Sequence, residues 1–254
     1  DLKEEPRTNF HNTFKLAPSS EFNSALKYFK NGEFSKVITH TKKILLKHPN
    51  DFSLWNLLGV SLIQKGEIES AIAAFEKVIN INPGFPDAYN NLGIIHHELG
   101  YFEKAIKNYN QAIKIKPEYV DAYNNKGITL KSLAYTSESL SSFNKALKIN
   151  PYFVKSLCNK ADLLKQTGDF DQATKFYQKA IKINPHNGEA HRQLSILDEN
   201  SDKQVHKKAL EKLLNQGHIN CSDKCQLHYA YAYMKEVSGD YAKAYTHFVE
   251  GGAL

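Results

Sequence analysis

The residues best suited to chemistry are two interleaved rows of carboxamides. Asn23, Asn91, Asn125 and Asn159 fall on a 34-residue spacing, with Leu57 in the missing place and Gln193 continuing the series. Asn56, Asn90 and Asn124 stand one residue ahead of places in that series, flanked by Phe22 and Cys158. A carboxamide carries both a donor and an acceptor, so it matches one peptide unit. A periodic row of them could hold an extended backbone while tolerating many side chains. The competing reading is that these groups cap or bond locally. His97 and Lys131 follow on the same segments and give the row mixed polarity.

Other chemistry is thinly supplied. His96 and His97 are adjacent, so on a helix they diverge and do not form an i, i+4 metal pair. The remaining histidines are scattered, and no metal is expected. Cys158, Cys221 and Cys225 are an odd set, which fits free thiols in a reducing, cytoplasmic compartment. Cys221 and Cys225 have too few companions for structural zinc. No nucleophile, base and orienting acid converge in a motif, so neither catalysis nor a cofactor is expected. Lys104, Lys107, Lys114, Lys145, Lys148, Lys175, Lys179 and Lys182 could make a basic face for nucleic acid or membrane. The 33 basic residues are offset by 27 acidic ones, a net +6, and a solvated outer face is the preferred reading. The aromatic residues are expected at core spacing rather than as stacking platforms. No apolar run approaches the ~20 residues that cross a bilayer, and no segment has the pattern of a signal peptide. Neither nucleic acid nor membrane is therefore an expected partner.

The period of the carboxamides belongs to the whole chain. Prolines 49, 83, 117, 151 and 185 repeat on it, as do Gly32, Gly66, Gly100 and Gly168, with Ala134 in the vacant place. Such self-similarity marks a repeat architecture. Five units follow, 18–51, 52–85, 86–119, 120–153 and 154–187, after a polar extension over 1–17 in which Phe10, Phe14 and Leu16 could dock. Each unit is predicted to hold two helices, at positions 1 to about 14 and about 15 to 28. The Gly permits the tight turn between them, and the Pro stops the second. Small residues at position 8 (Ala25, Gly59, Gly93, Gly127, Ala161) and position 20 (Val37, Ala71, Ala105, Ser139, Ala173) face large rings at position 24 (Phe75, Tyr109, Phe143, Tyr177), with Thr41 as the exception. Small against large lets crossing helices interlock. Aliphatics at position 28 (Leu45, Ile79, Ile113, Leu147, Ile181) extend the apolar face toward the next unit. The expected fold is all-α, a right-handed superhelix of helix pairs in which neighbours must stack.

These residues resemble the tetratricopeptide repeat family over 18–187, and the stretch "DAYNNLGIIHHELGYFEKAIKNYNQAIKIKP" is close to its consensus. Ala134, Thr136 and Ser139 depart from the usual Gly, aromatic and Ala and put local packing in doubt there. Pentatricopeptide RNA-binding repeats are a rival, disfavoured by the strict 34-residue spacing, the aromatic–Leu–Gly run and the regular Pro. The resemblance implies that first helices line a concave groove. There the Asn row resembles the asparagine ladder of O-GlcNAc transferase. The Lys and Arg of the family's carboxylate-clamp members are mostly replaced by Asn or apolar residues, and Lys155 and Lys165 are expected to be isolated and solvated.

After Pro185 the regularity breaks into a section spanning 188–254. Helices are expected over 188–198 and 203–216, the second carrying Val205, Leu210, Leu213 and Leu214, and Ser222 and Asp223 offer a further helix start. From Cys225 the repeat returns, with Tyr231, Ala232, Gly239, Tyr241, Ala244 and Phe248 in place. This section resembles the region that joins tetratricopeptide arrays to a sulfotransferase domain in bacterial fusion proteins. The primary expectation is an interaction scaffold that binds an extended peptide or protein segment through Asn23, Asn56, Asn90, Asn91, His97, Asn124, Asn125, Lys131 and Asn159. The alternative is the non-catalytic, substrate-recognition half of a larger sulfotransferase or glycosyltransferase. Tyr245, Val249, Ala253 and Leu254 are expected to form an uncovered edge that docks a further domain or a second copy.

Overall fold

The structure, a computed structural model, describes residues 16–197, 203–215 and 219–253. Phe10, Phe14, Leu254 and the side chain of Val205 lie outside the described residues. Among the described residues all regular structure is helical. Residues 1–117 form one unit, with α1 (Ser19–Lys30), α2 (Phe34–Leu45), α3 (Phe52–Gln64), α4 (Ile68–Ile81), α5 (Pro86–Glu98) and α6 (Phe102–Ile115). Residues 118–254 form a second, with α7 (Val120–Ser132), α8 (Thr136–Ile149), α9 (Val154–Gln166), α10 (Phe170–Ile183), α11 (Gly188–Leu197), α12 (Lys203–Leu214), α13 (Cys221–Val237) and α14 (Tyr241–Gly252). Within the first unit, and in the second as far as α11, each helix packs on the next in chain order.

The turn inside each pair closes on a left-handed residue. Gly100 has φ 77°, and Ala134, which stands where the other pairs have Gly, keeps the turn at φ 59°. An L-residue there crowds its Cβ against the backbone, so the turn is retained at the expense of local strain.

Crossing within a pair depends on the missing side chain. A Cβ placed on Gly59, Gly93 or Gly127 would stand 2.7, 2.5 and 2.5 Å from the rings of Phe75, Tyr109 and Phe143. All three rings are buried. Val37, Ala71, Ala105, Ser139 and Ala173, the small residues of the second helices, are fully buried as well. The Ser139 departure is absorbed without loss, because its hydroxyl donates to the Gly127 carbonyl at 2.7 Å. Thr41 is also buried, but its Oγ1 has no partner. Ile44, Val78, Ala112, Ala146 and Ala180, one residue ahead of the aliphatic row, go deeper than that row, of which only Leu45 is buried.

Ahead of the first pair, Ala17 is buried and its N–H donates to Asp51 at 2.9 Å. The other Asp51 oxygen accepts from the Ser53 and Leu54 N–H groups and caps α3. One buried carboxylate thus ties the lead-in to the start of a helix.

The section after Pro185 is built differently. α11 packs mainly on α13 and meets α12 through the stacked rings of His191 and His206, while α12 lies against α13 through Leu210 and Leu213. α13 is long, and it serves as partner to both α11 and α14. Its cap is Asn220, whose side chain accepts from the Asp223 N–H at 2.9 Å, and not Ser222 or Asp223 as the sequence suggests. The Asp223 carboxylate accepts from the Asn220 Nδ2 at 2.6 Å and also acts at a distance. It accepts the Gly188 N–H at 2.9 Å, and with the Asn187 side chain, which accepts the Ala190 N–H at 2.8 Å, it serves the first turn of α11.

Candidate peptide-binding face

In the first unit the face in question is made by α1, α3 and the start of α5. Their packing leaves a cleft of about 370 Å³ walled by Phe22, Leu26, Phe29, Leu57, Val60 and Phe85. Ser53 and Asn56 are its polar members. The apolar wall arises because Phe22, Leu26 and Phe29 fall on one side of a 3.6-residue helix. Asn23 is exposed, Asn56 and Asn91 are half-buried, and Asn90 is buried. The Asn91 Nδ2 donates to Asn56 Oδ1 at 3.4 Å. His97, half-buried in the last turn of α5, lies against the Phe102 ring at 5.4 Å, while His96 turns the other way to Asn108 at 3.0 Å.

In the second unit the same relation recurs, tighter. The Asn159 Nδ2 donates to Asn124 Oδ1 at 2.9 Å, and the Ser156 hydroxyl donates to the same oxygen at 2.9 Å. Asn124 in turn donates to Asn125 at 3.4 Å. Asn124 is buried, whereas Asn125, Asn159 and Lys131 are half-buried. The carboxamide row is therefore stitched from one repeat to the next within each unit. Asn90 and Asn124 sit too deep to meet a ligand directly. The signal that could have announced this is the doublet Asn90–Asn91 and Asn124–Asn125, which puts a donor and an acceptor 35 residues apart.

Lys165 departs from the expectation of an isolated, solvated charge. It is half-buried, and its Nζ donates to Gln193 Oε1, because its place in the last turn of α9 brings it level with the first helix of the next pair. Gln193 donates to Glu189 at 2.6 Å, and Arg192 pairs with the same carboxylate at 3.0 Å. Burial pushes Glu189 upward, but these donors outweigh it and leave the carboxyl below its ordinary pKa. Beneath them, the Tyr177 hydroxyl donates to Asp162. Desolvation, with Asp162 nearby, pushes the Cys158 thiol up to about 12, so this thiol is inert at neutral pH.

The lysines of the second helices are all exposed, in keeping with a solvated face. The aromatics do not all lie at core positions. Tyr101, Tyr135 and Phe170 are more than half exposed because they flank the left-handed turns, where the chain passes outside the helix crossing. Tyr101 there carries Lys104 over its ring at 5.1 Å.

Among the described residues, one trio could hold a metal ion, His228, His247 and Glu250, and it lies on α13 and α14, on other helices than the carboxamide rows. No described helix is long and apolar enough to cross a membrane.

Family models described as TPR repeat match residues 59–100 and 95–133, and models described as tetratricopeptide repeat match 120–153 and 154–187. Together they span 59–187, half of the chain. No curated protein matches it. Among solved structures, a tetratricopeptide repeat protein from Parabacteroides merdae is 18% identical, covers 92% of each chain and gives a TM-score of 0.66. The pilF protein of Pseudomonas aeruginosa is 17% identical, with 78% of this chain and 89% of that one covered and a TM-score of 0.65. MamA is 24% identical over 63% of this chain and 94% of its own, with a TM-score of 0.56. These identities speak for the fold alone. With the family models, the 34-residue helix pairs and the small-against-ring crossings in agreement, the chain belongs to the tetratricopeptide repeat family.

Proposed function

We propose that the chain is a protein-interaction module that takes an extended segment of a partner on the face of its first helices. The observation that carries this reading is the cleft between α1 and α3, apolar along its walls and edged by the Asn56 carboxamide. An apolar side chain of the partner fills the cleft. Asn23, Asn56 and Asn91 meet the flanking backbone, and Asn125, Asn159, His97 and Lys131 supply the corresponding polar groups elsewhere on first helices. Burying one large apolar side chain contributes about 1.5–3 kcal/mol, while the carboxamides read backbone and leave the sequence free. Panning a displayed library of random peptides against the chain tests this. Selected peptides should share one large apolar residue with little preference around it. A selection that yields acidic, charge-matched peptides instead would assign binding to the exposed lysines and defeat the proposal.

A second reading treats the chain as the substrate-recognition half of a larger sulfotransferase or glycosyltransferase. It is favoured by α14, where Tyr241, Tyr245 and Val249 are 70%, 71% and 52% exposed. Ile38, the counterpart of Tyr245 in the first repeat, is 8% exposed. Such a row invites a partner surface, either a further domain or a second copy. Light scattering of the chain beside its Tyr245→Glu variant separates these: a dimer that the substitution dissolves supports self-association, and a monomer in both leaves the further domain.

A further inference from the structure

The pair α13–α14 brings three ligating atoms to one point. His228 comes from α13, and His247 and Glu250 lie one turn apart on α14. The two Nδ1 atoms are 3.0 Å apart, and each is 3.2 Å from the same Glu250 oxygen, Oε2. His228 is buried, and the group opens on a cleft of about 480 Å³ that is also lined by Leu214, Asn215, Lys224 and Ala253. His247 is held from the side by Tyr231, whose ring meets it edge-on at 4.6 Å and whose hydroxyl donates to Glu211 at 2.6 Å.

Hydrogen bonding alone does not account for this triangle. An ionised carboxylate only accepts, so both imidazole nitrogens would have to donate to it. That leaves two N–H groups facing each other along the third edge. If one nitrogen accepts instead, its lone pair faces the carboxylate. No placement of imidazole protons gives all three edges a donor and an acceptor, whereas one cation at the centre satisfies all three atoms.

We propose that His228, His247 and Glu250 bind a divalent transition-metal ion, zinc in particular, with a fourth position open to the cleft. Ligand atoms around tetrahedral zinc stand roughly 3.3 Å apart, close to the edges seen here. An ion 2.0–2.1 Å from each atom would stand about 1 Å out of their plane. Two imidazoles and one carboxylate suit zinc and its neighbours rather than calcium or magnesium, which take oxygen ligands at longer range or with retained water. The single carboxylate leaves a bound divalent ion with net positive charge, so the open position favours water or an anion. Bound there, the ion clamps α14 onto α13.

The test is titration of the metal-stripped chain with zinc by calorimetry, and with cobalt as a coloured substitute. One ion per chain is expected, with the visible absorption of a low-coordinate cobalt site and a raised thermal midpoint. Glu250 is exposed, so Glu250→Gln withdraws the charge without disturbing packing. It and His247→Gln should each weaken zinc at least about tenfold, while helicity stays unchanged. The free thiols Cys221 and Cys225 are the control. Binding that survives both α14 substitutions but disappears in the Cys221→Ser, Cys225→Ser variant would overturn the proposal, as would no binding in the unmodified chain.

Discussion

The regular repeats and the section after Pro185 reach similar burial by different means. In α3–α4, α5–α6 and α7–α8 the specificity is steric: a glycine accepts a ring, and the same pair of positions does so each time. In α11–α14 the close glycine approaches are unlike one another, Gly188 against the Asp223 backbone and Gly251 against the Tyr229 ring, and polar contacts made once are added to them. Asp223 caps α11 from 35 residues away, and His191 bridges His206 and the Pro185 carbonyl, both at 2.9 Å. Burial keeps His191 below the ordinary histidine pKa. Repetition lets one solution be reused. A unique junction has to be specified contact by contact.

That contrast can be broken first at its steric side. Gly93→Leu would drive a side chain into the Tyr109 ring, and it should cost about 3 kcal/mol in urea unfolding. A midpoint unchanged from wild type would mean that the close crossing is not what holds the pair. On the polar side, Asp223→Ala removes the acceptor for the Gly188 N–H and should cost about 1–2 kcal/mol, with hydrogen exchange rising first in α11. If exchange rises evenly along the unit, the cap is not a local determinant.

Two smaller substitutions should stabilise, each where a repeat departs from its own rule. Ala134→Gly relieves the left-handed alanine and should gain about 1 kcal/mol. Thr41→Val removes a buried hydroxyl without a partner and should gain about 0.5–1 kcal/mol. Thermal melts that fall in either variant would show that the departure is compensated by something other than the contacts described.

Much of the fold was legible because it recurs. The glycine–ring crossings, the left-handed turn at Ala134 and the exposed row on α14 all follow from position within a 34-residue period. What escaped had no period to reveal it. The partnership of α11 with α13, the cap at Asn220 and the approach of His228 to His247 join residues whose spacing occurs once. The carboxamides were visible as a row, but the bonds of Asn91 to Asn56 and of Asn159 to Asn124 were not. Whether a side chain faces solvent or its neighbour is decided by the height of one helix against the next, which composition does not encode. The half-buried bond of Lys165 to Gln193 is hidden from the sequence for the same reason.

The central claim, that the first-helix face of α1 and α3 binds a partner segment, is tested most directly by fluorescence anisotropy with one peptide from the display selection. Dissociation constants would be measured for wild type, Val60→Asp, Asn56→Ala and Tyr245→Glu. Val60→Asp places a charge in the apolar cleft and should weaken binding at least about tenfold, about 1.4 kcal/mol. Asn56→Ala should weaken it less, and Tyr245→Glu not at all. Loss of binding in Tyr245→Glu, with Val60→Asp indistinguishable from wild type, would contradict the account and move the binding surface to α14.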